Sequence, residues 1–224
     1  MKPVVCIATH DRIAITRKNI DSLLRDDERT QIVLAVSTAR DHAAFRNIDR
    51  VHLVMVANNP LGAKWQATVM KARLLGADVV MITGSDDILG KGAAQHAINV
   101  VESGFDFTGC MRWHVLDEKT GTVYCLKYNA SIPLGGGRVY SKKFLDKINW
   151  KVFDTSRNKW LDDLGFHQVE RHAQRFEKDS GLNILSIKGQ WKVMNPIDKM
   201  LKHKNITVLE KYDSLDAIKH LYPL

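Results

Sequence analysis

Two pairs of adjacent aspartates carry the strongest chemical signal in the chain, Asp86-Asp87 and Asp162-Asp163. Neighbouring carboxylates repel, so a cleft that holds such a pair needs a compensating cation. Mg²⁺ or Mn²⁺ bridging diphosphate oxygens supplies one, because these ions favour carboxylate and phosphate oxygen. Asp86-Asp87 follows the apolar run Asp78–Thr83 and the break Gly84-Ser85. The plain alternative is an Asp turn in which Ser85 or Asp86 caps the next helix. Asp162-Asp163 opens a helical stretch, where acids also complement the helix dipole.

The elements that position these acids alternate. Val4–Thr9, Ile32–Ser37, Val51–Val56 and Asp78–Thr83 are short apolar runs, as expected for buried parallel strands. Between them the spacing predicts helices: one capped by Thr16 with Ile20, Leu23 and Leu24 on one face, and one carrying Trp65, Val69, Ala72 and Leu75 and closed by Gly76. A further helix is expected over Ala93–Glu102. The pattern predicts a mostly parallel central sheet flanked by helices. In such sheets ligands bind at the carboxyl ends of the strands. Thr9–Arg12, Asn58–Lys64 and Gly84–Asp87 stand there. The second half is less regular. Strands are expected over Phe105–His114, Gly121–Tyr128 and Ile184–Ile187. Helices are expected from Ser141 to Ile148, from Leu161 towards Glu177, and from Asn195-Pro196. Ile206–Leu209 and Leu215–Leu221 finish a single domain. No GxGxxG follows the first strand, and Gly90-Lys91-Gly92 is not a Walker loop, which disfavours dehydrogenases and P-loop NTPases.

The order of the motifs resembles GT-A glycosyltransferases, most closely family 2, over roughly residues 2–175. The family's P-T-Y-N-R after the first strand is met by Ala8-Thr9-His10-Asp11-Arg12. Its N-x-G stretch before a helix is met by Asn59–Lys64, and its D-x-D-D by Gly84-Ser85-Asp86-Asp87. Its glycine pair and later acidic pair are met by Gly135–Arg138 and Trp160–Asp163. Two departures are plain. Gly84 replaces the first acid, and Ser37–Asp41 follows the second strand without the usual immediate aspartate, leaving Asp41 as the nearest substitute.

The resemblance implies a GT-A fold with a Rossmann-like N-terminal half. Residues 1–104 would hold a nucleotide-sugar donor, and residues 105–224 the acceptor and a C-terminal segment. Thr9, His10, Arg12, Asn59, Lys64, Ser85 and Asp86 would contact the donor. Asp87, Asp86 and His203 would hold Mn²⁺ or Mg²⁺; His167 and His172 are weaker candidates than His203. Asp162 or Asp163 would be the general base of an inverting displacement. Gly136, Gly137, Arg138, Trp160, Arg171 and Arg175 would face the acceptor. Trp113, Trp150 and Trp191 are further stacking candidates, with core packing the simpler expectation for at least two of the tryptophans.

Charge bears on the acceptor. The chain of 224 residues has a net charge of +8. Residues 138–204 alone hold 15 Lys plus Arg against 8 Asp plus Glu. A basic surface favours anionic partners. DNA with hydroxymethylated bases, as made by some phages, is the polyanionic acceptor this suggests, with the base flipped out for reaction. Arg157 and Lys159 would join Arg171 and Arg175 on its phosphates. Glycan- or lipid-directed transfer is the alternative, since such enzymes dock on anionic membranes. A nucleotidyltransferase is disfavoured because glycines are missing from Thr9–Arg12. A non-catalytic nucleic-acid-binding protein of the same fold finds its support in Gly84. Three cysteines without CxxC spacing argue against a disulfide framework and for the cytoplasm. No apolar run reaches the length of a membrane span.

Overall fold

The computed structural model describes residues 1–189 and 197–224. The expected helix start at Asn195-Pro196 and the candidate Trp191 lie outside the described residues. The first half runs β1 (Pro3–Ala8), α1 (Ile13–Asp26), β2 (Gln31–Val36), α2 (Ala39–Phe45), β3 (Val51–Met55), α3 (Leu61–Leu74), β4 (Val79–Ile82), β5 (Asp87–Leu89) and α4 (Ala93–Glu102). The second half runs β6 (Phe107–Thr108), β7 (Arg112–Asp117), β8 (Val123–Tyr128), β9 (Arg138–Ser141), α5 (Lys142–Lys147), α6 (Leu161–His172), β10 (Phe176–Glu177), β11 (Ile184–Lys188), α7 (Ile197–Leu201) and β12 (Ile206–Tyr212). Two short 3₁₀ turns follow where Leu215–Leu221 was expected to form one element.

A seven-stranded sheet has the order β10-β6-β9-β4-β1-β2-β3. Its strands run parallel except β9, which pairs antiparallel with both β4 and β6. The mixed α/β fold with a mostly parallel, helix-flanked central sheet is therefore as expected. Successive strand residues point to opposite faces, and the core divides accordingly. Val5 and Ile7 pack with Ile20 and Leu23 of α1 and Ala97 and Ile98 of α4. Val4 and Cys6 pack with Val69 of α3, Phe144 of α5 and Phe166 of α6. Burial on both faces explains why β1 and β2 read as unbroken apolar runs.

A second, five-stranded sheet, β12-β8-β7-β11-β5, was not foreseen. Its first-half member, β5, is only three residues long and begins at Asp87. It pairs antiparallel with β11, Ser186 opposite Asp87. This long-range pairing ties the end of β4 to the second half of the chain.

Local differences have simple causes. Arg12, not Thr16, precedes the first helix. Thr16 is buried inside α1, where its hydroxyl lies 2.7 Å from that of Thr9. Ser141 does cap α5, accepting from Phe144 N. Helix α6 stops at His172, since Phe176 and Glu177 extend to pair with β6. Cys6, Cys110 and Cys125 are all free, as expected. Among the described residues, no helix is long and apolar enough to cross a membrane.

Candidate active site

The two acidic pairs, far apart in sequence, meet at the glycine loop. Gly137 N donates to Ile82 O at 2.8 Å, which pins the loop to the end of β4. A Cβ on Gly135 would lie 2.6 Å from an Asp162 carboxylate oxygen, and one on Gly136 3.0 Å from Asp87 Oδ2. The bare backbone of Gly135-Gly136 therefore passes between the two acids. At Gly137 φ is +77°, and a Cβ would meet Ile184 at 2.3 Å. Three glycines are needed in a row because each position is crowded or left-handed.

Two cavities open at this point. One of about 580 Å³ is lined by Arg12, Trp65, Asp86, Asn158, Lys159 and Trp160 among others. The other, about 530 Å³, is lined by Trp113, Tyr128, Leu134, Lys199, Met200 and His203 among others. Asp87, Gly135, Gly136, Asp162, Asp163 and Lys188 line both. These six residues form the throat between them.

The acids differ in surroundings. Asp86 is held by Lys188 Nζ at 2.6 Å, with Arg12 Nη1 at 3.6 Å. Asp87 accepts from the Ser186 hydroxyl through Oδ1 and from Gly84 N at 3.1 Å through Oδ2. Burial, then the charge of Asp86, pushes the Asp87 carboxyl above the usual carboxylate range, against the pull of Lys188. Asp162 and Asp163 lie in the first turn of α6, whose start is set by Trp160 in a left-handed conformation. Asp162 is exposed and Asp163 half-buried.

The site stands at the carboxyl end of the parallel strand β4. No family model matches the chain, and no curated protein matches it. Solved structures do. TarS of S. aureus (residues 1–349), crystallised with UDP-GlcNAc, is similar at 14% identity with a TM-score of 0.64; the match covers 89% of this chain and 64% of that one. The mannosyltransferase PcManGT from Pyrobaculum calidifontis, in complex with GDP-Man and Mn²⁺, is similar at 14% identity with a TM-score of 0.58, covering 83% and 56%. The chain thus spans about two thirds or less of the length of these structures. Its fold is GT-A-like, the architecture of these two structures. The similarity to both enzymes lies in architecture and not in sequence.

Within this GT-A-like fold the expected site residues separate into three groups. Arg12, Asp86, Asp87, Gly136, Trp160, Asp162, Asp163 and His203 line the cavities. Trp160 is largely exposed at the rim. A second group braces the site instead of facing a ligand. Arg138 is buried, and its guanidinium donates to the carbonyls of Leu134, Asp162 and Pro133. It is a strut that fixes the glycine loop to α6 and lines neither cavity. Gly137 serves through its backbone. Lys64 is buried and donates to Thr9 O and to Asn58 Oδ1 at 3.1 Å. Burial lowers its pKa to about 8, opposed by Asp41 and Asp11. The Thr9 hydroxyl faces Thr16. Asn59 Oδ1 accepts from Asn158, which in turn receives Leu61 N, so Asn59 staples loop to helix. Ser85 is buried and lines neither cavity. Lys64, Thr9, Asn59 and Ser85 therefore brace this end of the sheet and line neither cavity.

The third group lies elsewhere. Arg171 and Arg175 line neither cavity, and Arg175 is engaged with Ser103 O at 2.7 Å and the Phe105 ring at 3.9 Å. His10 is exposed beside Asp11. Trp150 is buried in the core, as packing predicts.

Neither Ser186 nor Lys188 was expected at the site. Lys188 sits 102 residues beyond Asp86 and belongs to no local motif. Its one sequence signal is a cation at the end of an apolar strand. Asp41 is fully buried; Oδ2 receives Asp11 N at 3.3 Å, while Oδ1 has no hydrogen-bond partner.

The fit to a divalent ion follows from these contacts. Among the described residues, only His10, Asp11 and Asp41 bring three potential ligand atoms together. The expected set of Asp87, Asp86 and His203 does not. Position 84 offers no carboxylate, and a Cβ there would lie 2.5 Å from Asp87 Oδ2. Asp86 is taken by Lys188, and both oxygens of Asp87 accept hydrogen bonds. These residues, so arranged, do not offer the ligand set such an ion requires.

Proposed function

We propose that the protein transfers a sugar from a nucleotide-sugar donor to an acceptor hydroxyl, with inversion. The observation that carries this reading is the throat, where the strand-end acids and the α6 acids face one another across Gly135-Gly136. In this reading residues 1–104 carry the donor side and residues 105–224 the acceptor side, with Lys188 crossing from the second to the first. The unpartnered Oδ1 of Asp41 is a buried acceptor suited to an N–H of the base. Arg12 lines the same side, with Nη1 at 3.6 Å from Asp86 Oδ1. The acceptor hydroxyl approaches from the α6 side, and Asp162 or Asp163 takes its proton as it attacks the anomeric carbon. The open position of both acids supports that role, because a base must be reached by the proton it removes.

A metal-dependent form of the same transfer is the second reading, favoured by the Mn²⁺ bound to the Pyrobaculum enzyme. It requires Asp86 to exchange Lys188 for the ion.

The acceptor we propose is DNA carrying a hydroxymethylated base. The basic excess over residues 138–204 and the exposed Lys159 and Trp160 at the cavity rim support it. Arg171 and Arg175 lie outside the cavities and would serve only the flanking phosphates. The test offers hydroxymethylated and unmodified duplexes with UDP- and GDP-sugars and weighs the product. A hexose-sized mass gain on modified DNA alone, with binding that weakens steeply as salt rises, is the expected result. Donor binding without any DNA product would return the acceptor to glycans or lipids. Failure to bind any nucleotide-sugar would overturn the transferase reading.

A further inference from the structure

We propose that Lys188 is a further catalytic residue: its ammonium group stands where a divalent ion would act and neutralises the departing nucleoside diphosphate. The inference rests on the transferase reading above.

Four observations carry it. Lys188 lines both cavities, beside Asp87 and the glycine loop. Its Nζ lies 2.6 Å from Asp86, and both side chains are little exposed, at 13% and 12%. A charge with little water around it acts more strongly on a neighbouring anion. Its position is fixed by the sheet, since β11 pairs with β5 and Ile187 N donates to Asp86 O at 2.9 Å. Finally, position 84 is a glycine and offers no carboxylate for an ion, while Lys188 places its ammonium group beside the neighbouring Asp86.

The step balances without a metal. The bond between the anomeric carbon and the diphosphate oxygen breaks, and its electron pair leaves with the diphosphate. The acceptor oxygen bonds to the anomeric carbon, and its proton passes to Asp162 or Asp163. Lys188 keeps its protons and donates hydrogen bonds to the new phosphate charge, as a compact point charge does well. Asp86 is then a positioning residue that holds Lys188 at the throat, with Arg12 on its other oxygen.

The experiment is calorimetric titration of the full chain with UDP and GDP against UMP and GMP, in EDTA and in Mn²⁺. In EDTA the cognate diphosphate should bind about tenfold or more tightly than its monophosphate. Lys188→Met should erase that preference while leaving monophosphate binding intact, and Lys188→Arg should restore part of it. Asp86→Asn should keep or raise it, because the lysine loses its competitor. If Lys188→Met does not fold, the double variant Asp86→Asn/Lys188→Met removes the orphaned carboxylate and makes the same test. A diphosphate preference that appears only with Mn²⁺, survives Lys188→Met and is lost in Asp86→Asn would overturn the proposal and leave the transferase reading standing. No nucleotide binding in either buffer would overturn the transferase reading itself.

Discussion

Asp86-Asp87 and Asp162-Asp163 are the same dipeptide in opposite surroundings. The first pair sits where two sheets join, with Lys188, Arg12, Ser186 and Gly84 N occupying its oxygens. The second pair sits in the first turn of a helix, open to both cavities and backed by bare glycine backbone. A carboxylate surrounded by donors is an electrostatic fixture. One left open to a cavity can be reached by an acceptor hydroxyl. In the proposed transfer, environment alone gives the two pairs different roles.

The largest expected effect tests the open pair. Replacing Asp162 and Asp163 singly with Asn should reveal one variant whose kcat falls by about 100-fold or more while donor affinity is unchanged. Near-normal turnover in both would reduce them to helix-end acids. The loop between the pairs comes next. Gly137→Ala adds a Cβ against Ile184 at a φ of +77°, so urea unfolding should show a loss of about 1–3 kcal/mol. Gly121, in the β7–β8 turn, is also left-handed but has nothing within reach of a Cβ, and should lose less on the same change.

A smaller effect with the opposite sign tests the fixed pair. The Asp87 carboxyl is raised in the folded protein, so folding favours its protonated form. Stability should therefore fall as pH rises from the ordinary carboxylate value through the folded one. Asp87→Asn should flatten that dependence and raise Tm at neutral pH by about 2–4 °C, while donor turnover drops. A lower Tm would mean that its hydrogen bonds outweigh the cost of burying it. The smallest effect concerns Lys64. Its folded pKa of about 8 lies below the ordinary 10.5, so stability should climb between those two pH values as the unfolded lysine alone keeps its proton. Chemical unfolding of wild type and Lys64→Met across that window should show the slope only in wild type.

Much of the first half is legible in the sequence. The runs at β1, β2 and β4 are apolar on both faces because both faces are covered, and the helix expected over Ala93–Glu102 matches α4 at both ends. The two acidic pairs and the glycines could be picked out because each is a local cluster. What local pattern cannot carry is pairing at a distance. The pairing of the three-residue strand β5 with β11 joins residues about a hundred positions apart, and β11 and β12 reach the local β7-β8 hairpin from far along the chain. The same reason hid Lys188 and the intramolecular partners of Arg138, Lys64 and Asn59. Each is a polar side chain at a strand or loop end, and sequence reads such residues as ligand contacts. Composition and order alone determined that acids, glycines and cations would gather at the strand ends of a parallel sheet. Only the tertiary structure decided which cations bend inward to satisfy carbonyls and carboxylates and which remain at the throat, because a buried charge must find its partner in space, wherever that partner lies along the chain.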